Sequence, residues 1–209
     1  GLPRELRGGE AGRGLPRGAG GAMCWGMTTS TSAAPAGRPL VLASTSRYRR
    51  ELLARLGVPF AARAPDCDED AYRHLAPEAQ ARTLAQRKAE SLGPDLGDAL
   101  VIGSDQVLDF AGQVLHKPGT EAAARAQLGA LAGRAHRLLT AVAVHEPRSG
   151  RSEVALAVHT LHMRALGAEA IAAYVAADRP LDCAGSYAIE RRGVALFERV
   201  AADSEGADD

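Results

Sequence analysis

Residues 40–53 read LVLASTSRYRRELL, and the order of events inside that stretch decides the fold. Leu40-Val41-Leu42-Ala43 is a short apolar run of the kind that forms a buried strand. Ser44-Thr45-Ser46 ends the run with hydroxyls, after which Leu52, Leu53 and Leu56 recur at helical spacing and predict a helix with one apolar side. Ser46 suits the N-cap of that helix and Gly57 its C-terminal stop. A strand passing through a hydroxyl loop straight into a helix is an α/β unit.

The loop also carries chemistry. At a strand-to-helix junction the first backbone amides of the helix point outward and its dipole favours anions, while arginine grips phosphate oxygens through paired N–H groups. Ser44 to Arg50 therefore reads as a phosphate cradle, or equally as an ordinary N-cap with solvated arginines. It is not a Walker loop, because no G-x-x-x-x-G-K-S/T run occurs in the chain.

Outward from this unit, Val58 to Ala64 predicts a second strand and Pro77 to Leu92 a helix with Leu84 and Ala85 on its apolar side. Leu100-Val101-Ile102-Gly103 predicts another buried strand that runs directly into Ser104-Asp105-Gln106. That placement sets Asp105 at the C-terminal end of a strand, where open α/β sheets hold their ligands. Ala111-Gly112 supplies a turn, and Thr120 caps a helix through Leu131. Leu138 to His145 and Glu153 to Met163 flank the turn Pro147-Arg148-Ser149-Gly150 and predict a hairpin. A helix from Ala168 to Ala177 stops before Pro180, and Val194 to Val200 predicts a last strand. Strands alternating with helices, plus a long hairpin, give an α/β fold with a mixed sheet flanked by helices.

Composition narrows the class. The chain has 209 residues, enough for a substantial core or for two small lobes sharing a cleft. Twenty-five basic and 25 acidic residues give zero formal charge, so no global field draws it to nucleic acid or an anionic membrane, and eight aromatic residues are too few for a base-stacking platform. Cys24, Cys67 and Cys183 are odd in number and widely spaced, against both a disulfide framework and a structural zinc site, and for a reducing, cytoplasmic setting. No apolar stretch suits a membrane span or a signal peptide. Residues 1–37, rich in Gly, Ala, Arg, Ser and Pro without periodicity, are expected to be disordered or a non-native extension; residues 38–200 form the folded domain, and residues 201–209 an acidic tail.

Several side chains are candidates for chemistry. A carboxylate at Asp105 can hold a hard divalent cation or accept a proton from water, though a lone Asp also serves as a loop cap. Asp66, Asp68, Glu69 and Asp70 form an acidic cluster that suits Mg²⁺ or plain solvation. Lys88 and Lys117 read singly as surface lysines. Cys183 to Glu190 offers Gly185 for close backbone approach and the Glu190 carboxylate for a ligand base, or simply a tight turn. The six histidines show no zinc-ligand spacing, and no G-x-S-x-G supports a serine hydrolase.

Taken in order, LASTSRYRRELL (42–53), CDED (67–70), QRKAESL around Lys88, VIGSDQV (101–107), HKP (116–118) and CAGSYAIE (183–190) resemble the Maf family of nucleoside triphosphate pyrophosphatases, over Pro39 to Val200. The resemblance implies a two-lobed α/β structure, inosine-triphosphatase-like, with a deep cleft. It implies Mg²⁺ or Mn²⁺ dependence, a nucleoside triphosphate as substrate and frequently a homodimer, while the zero net charge leaves neither nucleic acid nor membrane as an expected partner. Carried over by position, Ser44, Arg49, Lys88 and Lys117 would bind the triphosphate and Glu69 would help bind metal. Asp105 would be the catalytic carboxylate and a metal ligand, and Glu190 would help select the base. The S-T-S-x-aromatic-R-R form, the G-S-D-Q form and Glu190 resemble the branch acting on 7-methyl-GTP; the alternatives are the dTTP/UTP branch and a weakly catalytic nucleotide-binding regulator of cell division. Two departures stand out. Arg47 replaces the family's usual proline, and residues 201–209 read AADSEGADD where the family continues through a D…GLPL segment into a terminal helix, whose absence is expected to expose core surface.

Overall fold

The computed structural model describes residues 37–203. The expectations for the N-terminal segment through residue 36, with Cys24, and for the tail from residue 204 lie outside the described residues. Among the described residues seven strands make one mixed sheet: β1 (Leu40–Ala43), β2 (Ala61–Arg63), β3 (Leu100–Phe110), β4 (Gln113–Leu115), β5 (Ala135–Glu146), β6 (Arg151–Met163) and β7 (Phe197–Ala202). Their order is β2-β1-β3-β5-β6-β7, with β4 also paired to β3. β1 is parallel to β2 and β3, and the remaining pairs are antiparallel. The helices are α1 (Arg47–Ala54), α2 (Pro77–Glu90), α3 (Glu121–Leu131) and α4 (Ala168–Asp178).

Two lobes share this sheet because side chains alternate between its faces. Val101 and Val107 of β3 face α2, packing with its Ala81, Ala85 and Ala89 and with Leu139, Ala141 and Ala143 of β5. Leu108, next in the chain after Val107, joins the other core, with Leu128 and Leu131 of α3, Ile171 and Val175 of α4, and Leu161, Met163 and Phe197. The alanine side of α2 lies very close to the sheet, and Gly103 makes that approach feasible. A Cβ on Gly103 would fall 2.1 Å from the Ala85 carbonyl oxygen and 2.7 Å from the Ala89 nitrogen.

The helix caps follow the sequence. Ser46 accepts from the Arg49 amide, Thr120 accepts from the Ala123 amide, and Pro77 opens α2. The hairpin also forms, with longer arms than the apolar run alone predicts. Three expectations need correction. β2 is only Ala61–Arg63, since Pro59 offers no amide to a ladder. The last strand begins at Phe197 because residues 192–196 wind into a 3₁₀ turn. And α1 ends at Ala54, short of Leu56 and Gly57, and buries no side chain: Leu52 is 63% exposed, Leu53 is half-buried, and Leu56 beyond the helix is 66% exposed. No helix among the described residues is long and apolar enough to cross a membrane.

Asp105 requires the most consequential correction. It lies in the middle of β3, not beyond its end, because β5 pairs with β3 without interruption from Val101 to Asp109 and keeps Ser104-Asp105-Gln106 extended. On the opposite edge of β3, β1 pairs with Leu100–Gly103 and β4 with Leu108–Phe110. Among the described residues no strand takes up that edge over residues 104–107. β1 leaves at Ala43 into Ser44, and β4 leaves at Leu115 into His116 and Lys117, so the two loops approach the gap from opposite sides.

Gly103→Ala should lower the unfolding free energy by about 3 kcal/mol, since the added carbon collides with backbone that cannot yield without displacing α2. Gly57→Ala, where φ is +68° but nothing lies within 4 Å, should cost only about 1 kcal/mol of backbone strain. Urea denaturation of both variants checks this, and equal losses would contradict it.

Candidate active site

Lys88 stands in the last turn of α2, on the side that packs against β3. Its side chain is 5% exposed, and its Nζ donates to Asp105 Oδ1 at 2.6 Å and lies 2.7 Å from Glu69 Oε1. The reading of Lys88 as a surface lysine is therefore overturned. A lysine this deep is tolerated only when its charge is paired, and removing one partner of such a pair costs about 3–5 kcal/mol. Gly103 is again the reason for the geometry: two residues before Asp105 on the same face, it lets α2 descend far enough for Lys88 to reach the carboxylate.

Around this pair the loops add further groups. Arg49 of α1 brings Nη2 to 4.0 Å from Asp105 Oδ1. Ser44 is buried at the end of β1, where its Oγ accepts from the Ser46 amide and shapes the loop that enters α1. Lys117 is exposed at the far side of the gap, close enough that its charge helps hold the Glu69 carboxyl down. Of the acidic cluster only Glu69 reaches the site. The Asp68 carboxylate accepts from the Asp70 amide, Asp70 pairs with Arg73, and the Asp66 amide donates to Ser91, so these three serve the loop.

The two carboxylates titrate apart. Burial pushes the Asp105 carboxyl above its ordinary value, and this outweighs the opposing pull of Lys88 and Arg49. Burial acts on Glu69 in the same direction, but Glu69 is half-exposed, and the hydrogen bond and charge of Lys88, with Lys117 and Arg49 behind it, bring it below the usual range. The site thus combines an ionised Glu69 with an Asp105 carboxyl of raised proton affinity, the property of a general base.

Glu190 is not part of this cluster. It is exposed, and its charge is felt at Cys183 and Tyr187. Gly185, at φ +73°, serves packing: a Cβ there would meet Leu108 Cδ1 at 2.1 Å. Tyr187 is buried, with its hydroxyl 2.9 Å from His136 Nε2, and presents no free ring for stacking. What the sequence did not single out is Arg191, whose guanidinium carbon lies 5.6 Å from the centre of the Tyr48 ring and brings the Glu190 segment against α1. A basic residue directly following Glu190 was the available signal. A concavity of about 460 Å³ lies elsewhere, at Asp109, Gly112, Arg137 and Thr160. Its charges are already satisfied, Arg137 by Asp109 and Glu78.

A gapped mixed sheet that holds a buried lysine between two carboxylates, beside a hydroxyl loop and two further cations, defines an α/β protein with a charged carboxylate–lysine site at the opening of its sheet. The chain belongs to the Maf family: the family model described as "Maf-like protein" matches residues 39–206. It is similar to the dTTP/UTP pyrophosphatase of Moorella thermoacetica, 45% identical over 164 residues that cover 78% of this chain and 84% of that one. It is similar to the same degree to the 7-methyl-GTP pyrophosphatase of Xanthomonas oryzae pv. oryzae (strain MAFF 311018), 46% identical over 161 residues that cover 77% of this chain and 84% of that one. Among solved structures, a HAM1 protein from Coxiella burnetii aligns with a TM-score of 0.40 and 17% identity over 62% of this chain and 74% of that one.

Lys88→Met should destabilise the fold by about 3 kcal/mol at pH 7.5, because Asp105 loses its principal counter-charge. Without Lys88 the Asp105 carboxyl rises further, and a raised carboxyl favours the fold at low pH and disfavours it as pH climbs through the folded-state value. The deficit of the variant against wild type should therefore shrink between pH 7.5 and pH 5. Chemical denaturation at both values checks this; a deficit independent of pH would contradict it.

Proposed function

We propose that this protein hydrolyses the α–β phosphoanhydride of a nucleoside triphosphate, releasing a nucleoside monophosphate and pyrophosphate. The observation that carries the proposal is the Asp105–Lys88–Glu69 cluster in the gap of the sheet, with Arg49 4.0 Å from Asp105, Lys117 near enough for its charge to act on Glu69, and Ser44 just past the end of the neighbouring strand β1. The names of relatives on both sides of the substrate divide, each a pyrophosphatase, support the same reaction.

In this reading Arg49, Lys117 and the hydroxyl loop at Ser44 grip the phosphate chain, and Lys88 offsets the charge that develops on it. Asp105, whose burial raises its proton affinity, takes a proton from a water molecule as that water's oxygen bonds to the α-phosphorus. The bond from the α-phosphorus to the bridging oxygen breaks, and pyrophosphate leaves with the electron pair. Glu69 and Asp105 are the residues that would hold Mg²⁺ or Mn²⁺. They fit a hard cation in chemistry, since each offers carboxylate oxygens and the two converge on one ammonium group. Among the described residues no group of three His, Cys, Asp or Glu side chains could hold a metal ion, so phosphate and water oxygens would complete its sphere, the usual arrangement for Mg²⁺. Such an ion would supply charge neutralisation at the phosphates.

For the base we favour 7-methylguanine. Its ring is cationic, and Glu190 is an exposed carboxylate on the segment that meets α1. Pyrophosphate release from 7-methyl-GTP, GTP, dTTP and UTP tests both levels. Wild type should favour 7-methyl-GTP, Asp105→Asn should lose about 10³-fold in kcat while binding within about tenfold of wild type, and Glu190→Gln should narrow the preference over GTP by about tenfold. For wild type, kcat/KM should rise with pH through a value above the ordinary 3.8 of an aspartate, as Asp105 loses its proton. Preference for dTTP or UTP would overturn the choice of base; near-normal turnover by Asp105→Asn would overturn the mechanism.

A further inference from the structure

Tyr48 lies in the first turn of α1, next to the Arg49 that reaches toward Asp105, and its ring is half-buried. Two guanidinium groups flank it. Arg47 stands 4.7 Å from the ring centre and also donates to the Tyr48 hydroxyl at 2.8 Å. Arg191 approaches at 5.6 Å from the opposite lobe, carried by the residue that follows Glu190. Since α1 buries no side chain of its own, contacts of this kind position it against the rest of the molecule.

The face of an aromatic ring is electron-rich and accepts either a cation or a stacked base. A base entering beside the phosphate grip meets Tyr48 with Arg191 already against it. A neutral base has only the cation–π contact to displace. A cationic base must in addition approach the fixed positive charges of Arg47 and Arg191, against which the Glu190 carboxylate, directly before Arg191 in the chain, attracts it. We propose that Arg191 is a specificity-determining residue of this site, which opposes cationic bases through its position on Tyr48 and so tempers the attraction of Glu190. The proposal rests on the reading of the site as a nucleotide site that accepts 7-methylguanine. Two like charges about 6 Å apart in a watery cleft repel enough to change a binding ratio about threefold, and more where the base excludes water.

Equilibrium binding keeps this test separate from catalysis. Calorimetric titration of wild type, Arg191→Ala and Arg191→Lys with 7-methyl-GMP and with GMP gives the ratio of their affinities, and inorganic tripolyphosphate serves as a probe without a base. Arg191→Ala should raise the preference for 7-methyl-GMP about three- to tenfold. Arg191→Lys, which keeps the charge, should hold the wild-type ratio, and tripolyphosphate should bind all three proteins alike. An unchanged ratio in Arg191→Ala would overturn the proposal, and so would a matching loss of tripolyphosphate affinity, which would make Arg191 a phosphate ligand. Failure of the hydrolysis reading shows elsewhere, as the absence of pyrophosphate release by wild type from any triphosphate.

Discussion

The ammonium group of Lys88, buried between Asp105 and Glu69, is the constraint on which the other features depend. A charge in that position is tolerable only if carboxylates meet it, and they can meet it only if α2 lies almost on the backbone of β3. The sequence satisfies that demand with Ala85 and Ala89 on one side and Gly103 on the other. Small residues in the core of the first lobe thus belong to the design of the site as well as to packing. The same contact ties the end of a helix, the centre of a strand and an acidic loop into one unit.

The gap in the sheet explains why the cluster is reachable. A central strand flanked along its whole length would bury Asp105 beyond any substrate. Here β1 stops at Ala43 and β4 does not begin pairing until Leu108, so one edge of β3 opens at the carboxylate. The segments that leave the two short strands, at Ser44 and at His116-Lys117, are delivered to the opening by the strands' own ends. On the other edge β5 pairs without a break and holds the floor rigid. The site is thus assembled by strand lengths, and its chemistry by the residues that fall just past them.

Much of this was legible in the chain. The strand and hydroxyl loop at residues 40–46, the start of the helix that follows, the caps at Ser46 and Thr120 and the long hairpin are local signals, and each formed as expected. Apart from the shortened β2 and last strand, what failed was nonlocal. Ser104-Asp105-Gln106 looks like a loop because three polar residues interrupt an apolar run, and only a lysine seventeen positions earlier, folded back over the strand, makes an aspartate affordable there. Lys88 looks like a solvated lysine because QRKAE is an ordinary helical surface until the glycine opposite it is known. Leu52 and Leu56 carry a helical period yet face outward, since periodicity marks an apolar side without specifying what covers it. The contact of Arg191 with Tyr48 joins residues 143 positions apart and has no local signature at all.

The central claim is that water is directed to the α-phosphorus by Asp105, with pyrophosphate as the leaving group. Hydrolysis of a nucleoside triphosphate in ¹⁸O-labelled water, followed by mass spectrometry of both products, tests it most directly. The account predicts one labelled oxygen in the nucleoside monophosphate and none in the pyrophosphate. Label in the pyrophosphate would place the attack on the β-phosphorus and contradict the role given to the Asp105–Lys88 site.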